Sequence, residues 1–191
     1  IVLADRLEER RVIEGSLGCA NCREEYPIHG GIADLRLRPA ESGAGPSPPE
    51  TQGDPERGYR LAALLGVTGP AGPVAVVSED PALVEEVQRH LPDAGVLGVS
   101  RTPPPAGAGV GMGWLLSDGP LPFRGRSLGG VALASGDPLP VLDAALRSLS
   151  RGARVVVDPA PPGTAAELLR EGADLLLEQS GVAVASDPRA G

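Results

Sequence analysis

The stretch Val74-Ala-Val-Val77-Ser-Glu-Asp80-Pro81-Ala-Leu-Val-Glu-Glu-Val-Gln-Arg-His90-Leu-Pro-Asp-Ala-Gly-Val96-Leu-Gly-Val99 decides the fold. Val74–Val77 is a short run with no polar residue, which suits a strand covered on both faces. Asp80-Pro81 then opens a helix. Asp can cap the first free N–H groups, and Pro costs nothing in the first turn. Leu83, Val84, Val87 and Leu91 repeat at helical spacing and form one apolar stripe. Val96–Val99 is a second apolar strand. Strand, helix and strand in so few residues make a parallel βαβ unit.

The same texture extends in both directions. Upstream, Asp54-Pro55-Glu56 starts a helix that carries Tyr59, Leu61, Ala62 and Leu65 and stops at Gly66. Downstream, Trp114–Leu116 and Val131–Leu133 read as strands. Asp137-Pro138 opens a helix with Leu139, Leu142, Leu146 and Leu149 on one stripe, ended by Gly152. Val155–Val157 is another strand of the buried type. Thr164-Ala-Ala-Glu167 reads as a capping box for a short helix that stops near Gly172. Asp174–Leu177 and Val182–Ala185 flank Gln179-Ser-Gly181 and read as a closing hairpin. Residues 54–191 are therefore expected to form a doubly wound α/β domain, a mostly parallel sheet of about seven strands. Val74–Val77 should be central between the 96–99 and 131–133 strands, with 182–185 antiparallel.

Residues 1–38 differ. Val2-Leu3 and Val12-Ile13 are brief apolar pairs, punctuated by Gly15, Gly18, Gly30 and Gly31, and read as short strands and turns. Residues 39–53 are rich in Pro, Gly and Ser, cannot bury a core, and read as a linker.

Composition bounds the function. Of 191 residues, 41% are hydrophobic and only 2% aromatic, so the core must be built from Leu, Val and Ala. The formal net charge is −8, and every basic residue other than histidine is arginine. Arg6, Arg10, Arg11 and Arg23 cluster, but Glu8, Glu9, Glu14, Glu24 and Glu25 interleave with them, which describes a solvated face. No nucleic-acid binding is expected, because phosphate neutralisation needs a basic face. No apolar run approaches the ~20 residues of a membrane span. With no export signal, a C-x-x-C pair points to the cytoplasm and to metal or redox use.

That pair is Cys19-Ala-Asn-Cys22. Two thiolates at this spacing can point inward from a tight turn and hold one Zn²⁺. Two reduced, unligated thiols are the alternative. A thioredoxin-like redox site is disfavoured because no strand-to-helix junction carries the motif. His29 is the other soft donor nearby and reads as an exposed turn residue before Gly30.

The run Gly15-Ser-Leu-Gly-Cys19-Ala-Asn-Cys22-Arg-Glu-Glu-Tyr26-Pro27-Ile28-His29-Gly-Gly31-Ile32 resembles the second half of the Trm112-like zinc ribbons, over roughly residues 12–35. It departs from them at Ala33, where the family has Pro. The resemblance implies a small ribbon module over residues 1–38, with Cys19 and Cys22 as half of a structural Zn²⁺ site and a further Cys pair upstream. It also implies a protein partner, a methyltransferase or another complex subunit.

Residues 54–191 resemble a class I S-adenosylmethionine (SAM) methyltransferase. Arg60–Leu65 resembles the helix before strand 1, Leu121–Val131 the approach to strand 4, and Ala145–Val155 the helix and turn leading to strand 5. The site residues of that family are largely missing. A SAM site needs a glycine-rich turn after strand 1, and here Ser78-Glu79-Asp80-Pro81 follows Val77. Ser100 stands where an acidic residue holds the ribose. Gly129 replaces the Asp before strand 4. Asp118 occupies the place of an adenine-contacting acid. Glu79, Ser100 and Asp118 are thus the candidate cofactor contacts, and no catalytic residue can be named. Gly107-Ala-Gly109-Val-Gly111-Met-Gly113 has the look of a phosphate loop but leads into Trp114 with no helix behind it, and reads as a loop. His90, near the end of its helix, reads as a surface residue that suits the C-terminal dipole.

Three functions follow as expectations. The first is a non-catalytic methyltransferase-like scaffold or binding subunit that does not take SAM. The second is an active SAM-dependent methyltransferase with an unusual site. The third is an unrelated small-ligand α/β domain.

Overall fold

The structure is a computed structural model that describes residues 2–8, 11–19, 23–36, 54–68, 72–105 and 112–187. The expected linker (39–53), Cys22 and most of the 107–113 glycine run lie outside the described residues.

The α/β part is built as its apolar pattern dictates. Helix α1 (Pro55–Leu65) starts at Asp54, whose side chain accepts from Arg57 N, and ends at Gly66 in the left-handed region (φ 62°). Strand β5 (Val74–Val77) leads to α2 (Pro81–His90), capped by Asp80 on Ala82 N. Then come β6 (Val96–Ser100), β7 (Gly113–Leu116) and β8 (Leu128–Leu133). A 3₁₀ turn (Leu139–Val141), α3 (Leu142–Ser148), β9 (Leu149–Val157) and α4 (Thr164–Arg170) follow. Strands β10 (Asp174–Gln179) and β11 (Val182–Ser186) close the domain. Their turn, Ser180-Gly181, has positive φ at both residues (51° and 73°), the geometry that matches the twist of a two-residue hairpin.

The strand order here is β7-β6-β5-β8-β9-β11-β10, with β11 antiparallel to β9. The expected central β5, paired in parallel with β6 and β8, is what the structure has. Side chains alternate along β5. Val74 and Val76 enter a core with Leu61, Leu65, Leu83, Val84 and Trp114, and Ala75 enters one with Leu133, Leu142, Leu146 and Leu168. Helices α1 and α2 thus cover one face and α3 and α4 the other, which is the doubly wound arrangement.

Residues 54–191 supply the seven expected strands, but the sheet does not stop there and runs to eleven. Strands β1 (Val2–Glu8), β2 (Arg11–Gly18), β3 (Glu25–His29) and β4 (Ile32–Asp34) form an antiparallel meander. It continues the same sheet, because β4 pairs in parallel with β7, Ile32 opposite Trp114 and Asp34 opposite Leu116. Leu35 N donates to Leu116 O (2.8 Å), which extends the seam. Without β4, β7 would present a bare edge of unpaired N–H and C=O groups. Ile28 and Ala33 are buried at the seam, whereas β1 is exposed along its whole length.

Two local expectations are also corrected. The third helix ends at Ser148, not Gly152: Leu149 is already strand, paired with Leu128, and Gly152 lies inside β9. Pairing with β8 buries Leu149 completely and so overrides the helical stripe. Thr164 is not an N-cap. Gly163 takes that place, Thr164 Oγ1 donates to Pro161 O (2.7 Å), and Glu167 pairs with Arg170.

Candidate functional site

The carboxyl ends of β5, β6, β7 and β8 surround a cleft of about 430 Å³. In open α/β sheets, ligands bind there, where the strand order reverses. Val77, Val99, Leu121 and Leu133 line it, and Glu79, Ser100, Arg101, Asp118, Ser135 and Asp137 supply polar groups. The structure thus brings the three expected residues, Glu79, Ser100 and Asp118, to one cleft. Their individual surroundings differ.

Ser100 is buried, and its hydroxyl donates to Thr102 O (2.7 Å). Asp118 is exposed on the rim. Glu79 crosses from the end of β5 to the end of β6. Its Oε1 accepts from Arg101 N (2.9 Å) and Arg101 Nε (3.2 Å), and its Oε2 from Thr102 N (3.3 Å) and Thr102 Oγ1 (2.8 Å). Burial pushes the Glu79 carboxyl up, but hydrogen bonds from the Arg101 N–H, the Thr102 hydroxyl, the Arg101 guanidinium and the Thr102 N–H together hold it below the usual carboxylate range.

The turn after β5 is closed on itself. Ser78 N donates to Val99 O, Glu79 N to Ser135 Oγ, Asp80 N to Ser78 Oγ and Ala82 N to Asp80 Oδ1. Pro81 has no N–H. Each backbone donor from Ser78 to Ala82 is therefore committed within the protein.

Two further groups at the sheet's carboxyl edge were not anticipated. Arg36, just after β4, holds Asp34 (Nη2 to Oδ2, 2.6 Å) and donates through Nη1 to Arg101 O (3.2 Å). Its hydrogen bond is the main cause that holds Asp34 below its usual range, against the opposing effect of burial. The β1–β4 meander therefore reaches the cleft rim. Arg57 donates to Ala134 O (2.7 Å) and to Asp158 O, and Arg60 Nη2 to Asp158 Oδ2 (2.8 Å). These bonds pin the start of α1 to the ends of β8 and β9. No local pattern marks the contacts of Arg36 with Arg101 or of Arg57 and Arg60 with Asp158, because they join residues far apart in the chain.

Cys19 lies where β2 turns into β3. Cys19 N donates to Glu24 O (2.9 Å), Arg23 N donates to Cys19 O (3.0 Å), and Arg23 is left-handed (φ 63°). Among the described residues, no group of three or more His, Cys, Asp or Glu side chains gathers to hold a metal. His29 is at the far end of β3, roughly 13 Å along the strand from Glu25, and its Nδ1 is bonded to Glu14 Oε2 (3.0 Å). His90 is exposed and packs edge-on against Tyr59, ring centroids 5.3 Å apart, in keeping with a surface role.

No protein-family model matches the chain, and no curated protein matches it significantly. Solved structures do. The geranyl diphosphate methyltransferase in complex with GPP and sinefungin superposes with a TM-score of 0.51 at 13% identity, over 64% of this chain and 60% of that one. The precorrin-6y C5,15-methyltransferase from Geobacter metallireducens GS-15 gives 0.54 at 12% identity, over 74% and 93%. The tRNA (m1A58) methyltransferase TrmI from Aquifex aeolicus gives 0.50 at 12% identity, over 73% and 71%. The chain has a methyltransferase-like α/β fold. At such identities the likeness is one of fold alone. No helix among the described residues is long and apolar enough to cross a membrane.

Proposed function

We propose that this chain is a non-catalytic methyltransferase-like protein that does not use SAM and acts as a binding or scaffold subunit for a protein partner. The carrying observation is the closed turn after β5, in which Ser78, Glu79, Asp80 and Ala82 all spend their N–H groups internally. Glycine is absent from this turn, so Cβ atoms occupy the space a close-lying ligand would need. At the end of β6, Ser100 donates its hydroxyl to Thr102 O, where a ribose-binding site would present a carboxylate. Isothermal titration calorimetry with SAM and S-adenosylhomocysteine tests the reading. No heat of binding is expected up to about 50 μM; a Kd of about 50 μM or below corresponds to roughly 6 kcal/mol and would sink it.

The second reading, an active SAM-dependent methyltransferase, is favoured by the cleft itself and by Asp118, exposed on its rim. The same titration separates the two.

The proposal includes a metal. Cys19 and Cys22 would hold Zn²⁺ together with two further ligands, and the ion would fix the tip of the β2–β3 hairpin. Metal analysis of the full-length protein, with Cys19→Ser beside it, should find zinc in the parent and less in the variant. Metal-free parent protein would remove this part of the proposal.

A further inference from the structure

Four donors converge at the end of β6. Arg101 and Thr102 each direct one backbone N–H and one side-chain group at a single carboxylate, two donors to each oxygen, at 2.8–3.3 Å. Two oxygens held by a fork of main-chain and side-chain donors is how proteins bind carboxylates and phosphates. Here the acceptor comes from the neighbouring strand end, as Glu79. Both Glu79 and Arg101 line the cleft, and their side chains are 32% and 67% exposed, so the carboxylate can leave for solvent.

The polarity of this corner is the reverse of a hydroxyl-binding one. In dinucleotide-binding sheets an acidic residue at this strand end takes ribose hydroxyls, and an arginine nearby takes a phosphate instead. This chain has Ser100-Arg101-Thr102 at the end of β6. Asp118, beyond the end of neighbouring β7, and Asp137, beyond β8, also line the cleft and would repel an anion set against them. The donors of Arg101 and Thr102 make the β6 end the place where an acidic group gains.

We propose that the β6 end of the cleft is an anion site, occupied in this structure by the Glu79 carboxylate, and that the cleft takes a small molecule whose phosphate or carboxylate group displaces Glu79 from Arg101 and Thr102. The anionic end binds those donors, and the rest of the molecule lies over Val99 and Leu121. Any amine or hydroxyl it carries faces Asp118. The inference rests on the reading of the cleft as one that does not take SAM, and it deepens that reading by naming the ligand's chemistry. Glu79 acts as an internal competitor. A site open one tenth of the time binds its ligand about 10-fold more weakly than an open one.

The full chain and its variants E79A and E79A/R101A are titrated with sodium phosphate and with sodium acetate. Sodium chloride at matched ionic strength is the control, and binding is followed by thermal shift and calorimetry. E79A should bind one of the two anions about 10-fold more tightly than the parent, and E79A/R101A should lose that binding. The anion that works distinguishes a phosphate from a carboxylate ligand. Equal responses of E79A and E79A/R101A, or no response beyond chloride, overturn the proposal. Should E79A fail to fold, E79S, whose hydroxyl is too short to reach the donors and so vacates them, is titrated with the same two outcomes. SAM is included for the parent protein. Binding of SAM would overturn the functional reading, while the anion response of E79A is read separately from it.

Discussion

At the residue scale, Gly98 shows how closely this sheet is packed. A Cβ on Gly98 would lie 2.5 Å from the ring of Trp114 on the neighbouring strand. Trp114 is 3% exposed and wedged in the core, so the ring cannot move aside cheaply. Gly98→Ala should therefore destabilise the fold by about 1–3 kcal/mol. Trp114 is the only tryptophan, so urea denaturation followed by its fluorescence reads the contact directly. An unchanged midpoint would show that the ring yields. The glycine was visible in the sequence, but its reason was not, since Val96-Leu-Gly-Val99 does not say which side chain lies across it. Glu79 was legible as a site candidate for the same limited reason. Its place after an apolar strand marks it, while its four donors come from residues more than twenty positions away.

At the element scale, α1 is held at both ends. Asp54 caps its start, so Asp54→Ala should cost about 1 kcal/mol. Arg154 Nη1 from β9 donates to Leu64 O near its end (3.2 Å). The stronger tie is Asp158, a buried carboxylate that accepts from Arg60. Asp158→Asn keeps the shape and removes the charge. It should cost about 1.5–3 kcal/mol, the range for hydrogen bonds to charged groups. Thermal unfolding of the two variants side by side tests the order, and an Asp54→Ala loss larger than that of Asp158→Asn would contradict it. The helix itself is legible in Asp54-Pro55 and the Leu61, Ala62, Leu65 stripe, because caps and periodicity are local signals. The third helix is legible less exactly: its first turn, Leu139–Val141, is 3₁₀, and Leu149, which fits a helical stripe and a buried strand equally well, belongs to the strand.

At the scale of the whole molecule, acid should loosen the cleft and the seam together. Glu79 and Asp34 both have carboxyls held below their ordinary values of 4.5 and 3.8. A carboxyl depressed in the folded state contributes stability that is present above its unfolded pKa and lost as pH falls through the folded one. Stability should therefore hold from neutral pH down to about 4.5 and fall below it. E79Q and D34N should each flatten that acid limb, as seen in urea midpoints at pH 7, 5, 4 and 3. An acid limb unchanged in both variants would place the loss elsewhere. Asp34 matters here because Arg36, which it holds, ties the β1–β4 meander to Arg101 at the cleft rim.

The sequence by itself determined the alternation of apolar strands and capped helices, the doubly wound class, the closing hairpin and the central position of β5. These depend on periodicity, caps and turn chemistry, all of which act over a few residues. It also placed Glu79, Ser100 and Asp118 at strand ends, where such sheets bind ligands. Tertiary structure alone decided that the N-terminal meander joins the sheet through β4 and β7. It also decided that Glu79 sits on the donors of Arg101 and Thr102, and that Arg36 and Asp158 fasten the rim. The physical reason is common to all of these. Strand-edge pairing and side-chain hydrogen bonds between distant segments depend on which edges and donors the completed fold leaves open, and a linear pattern carries no record of that.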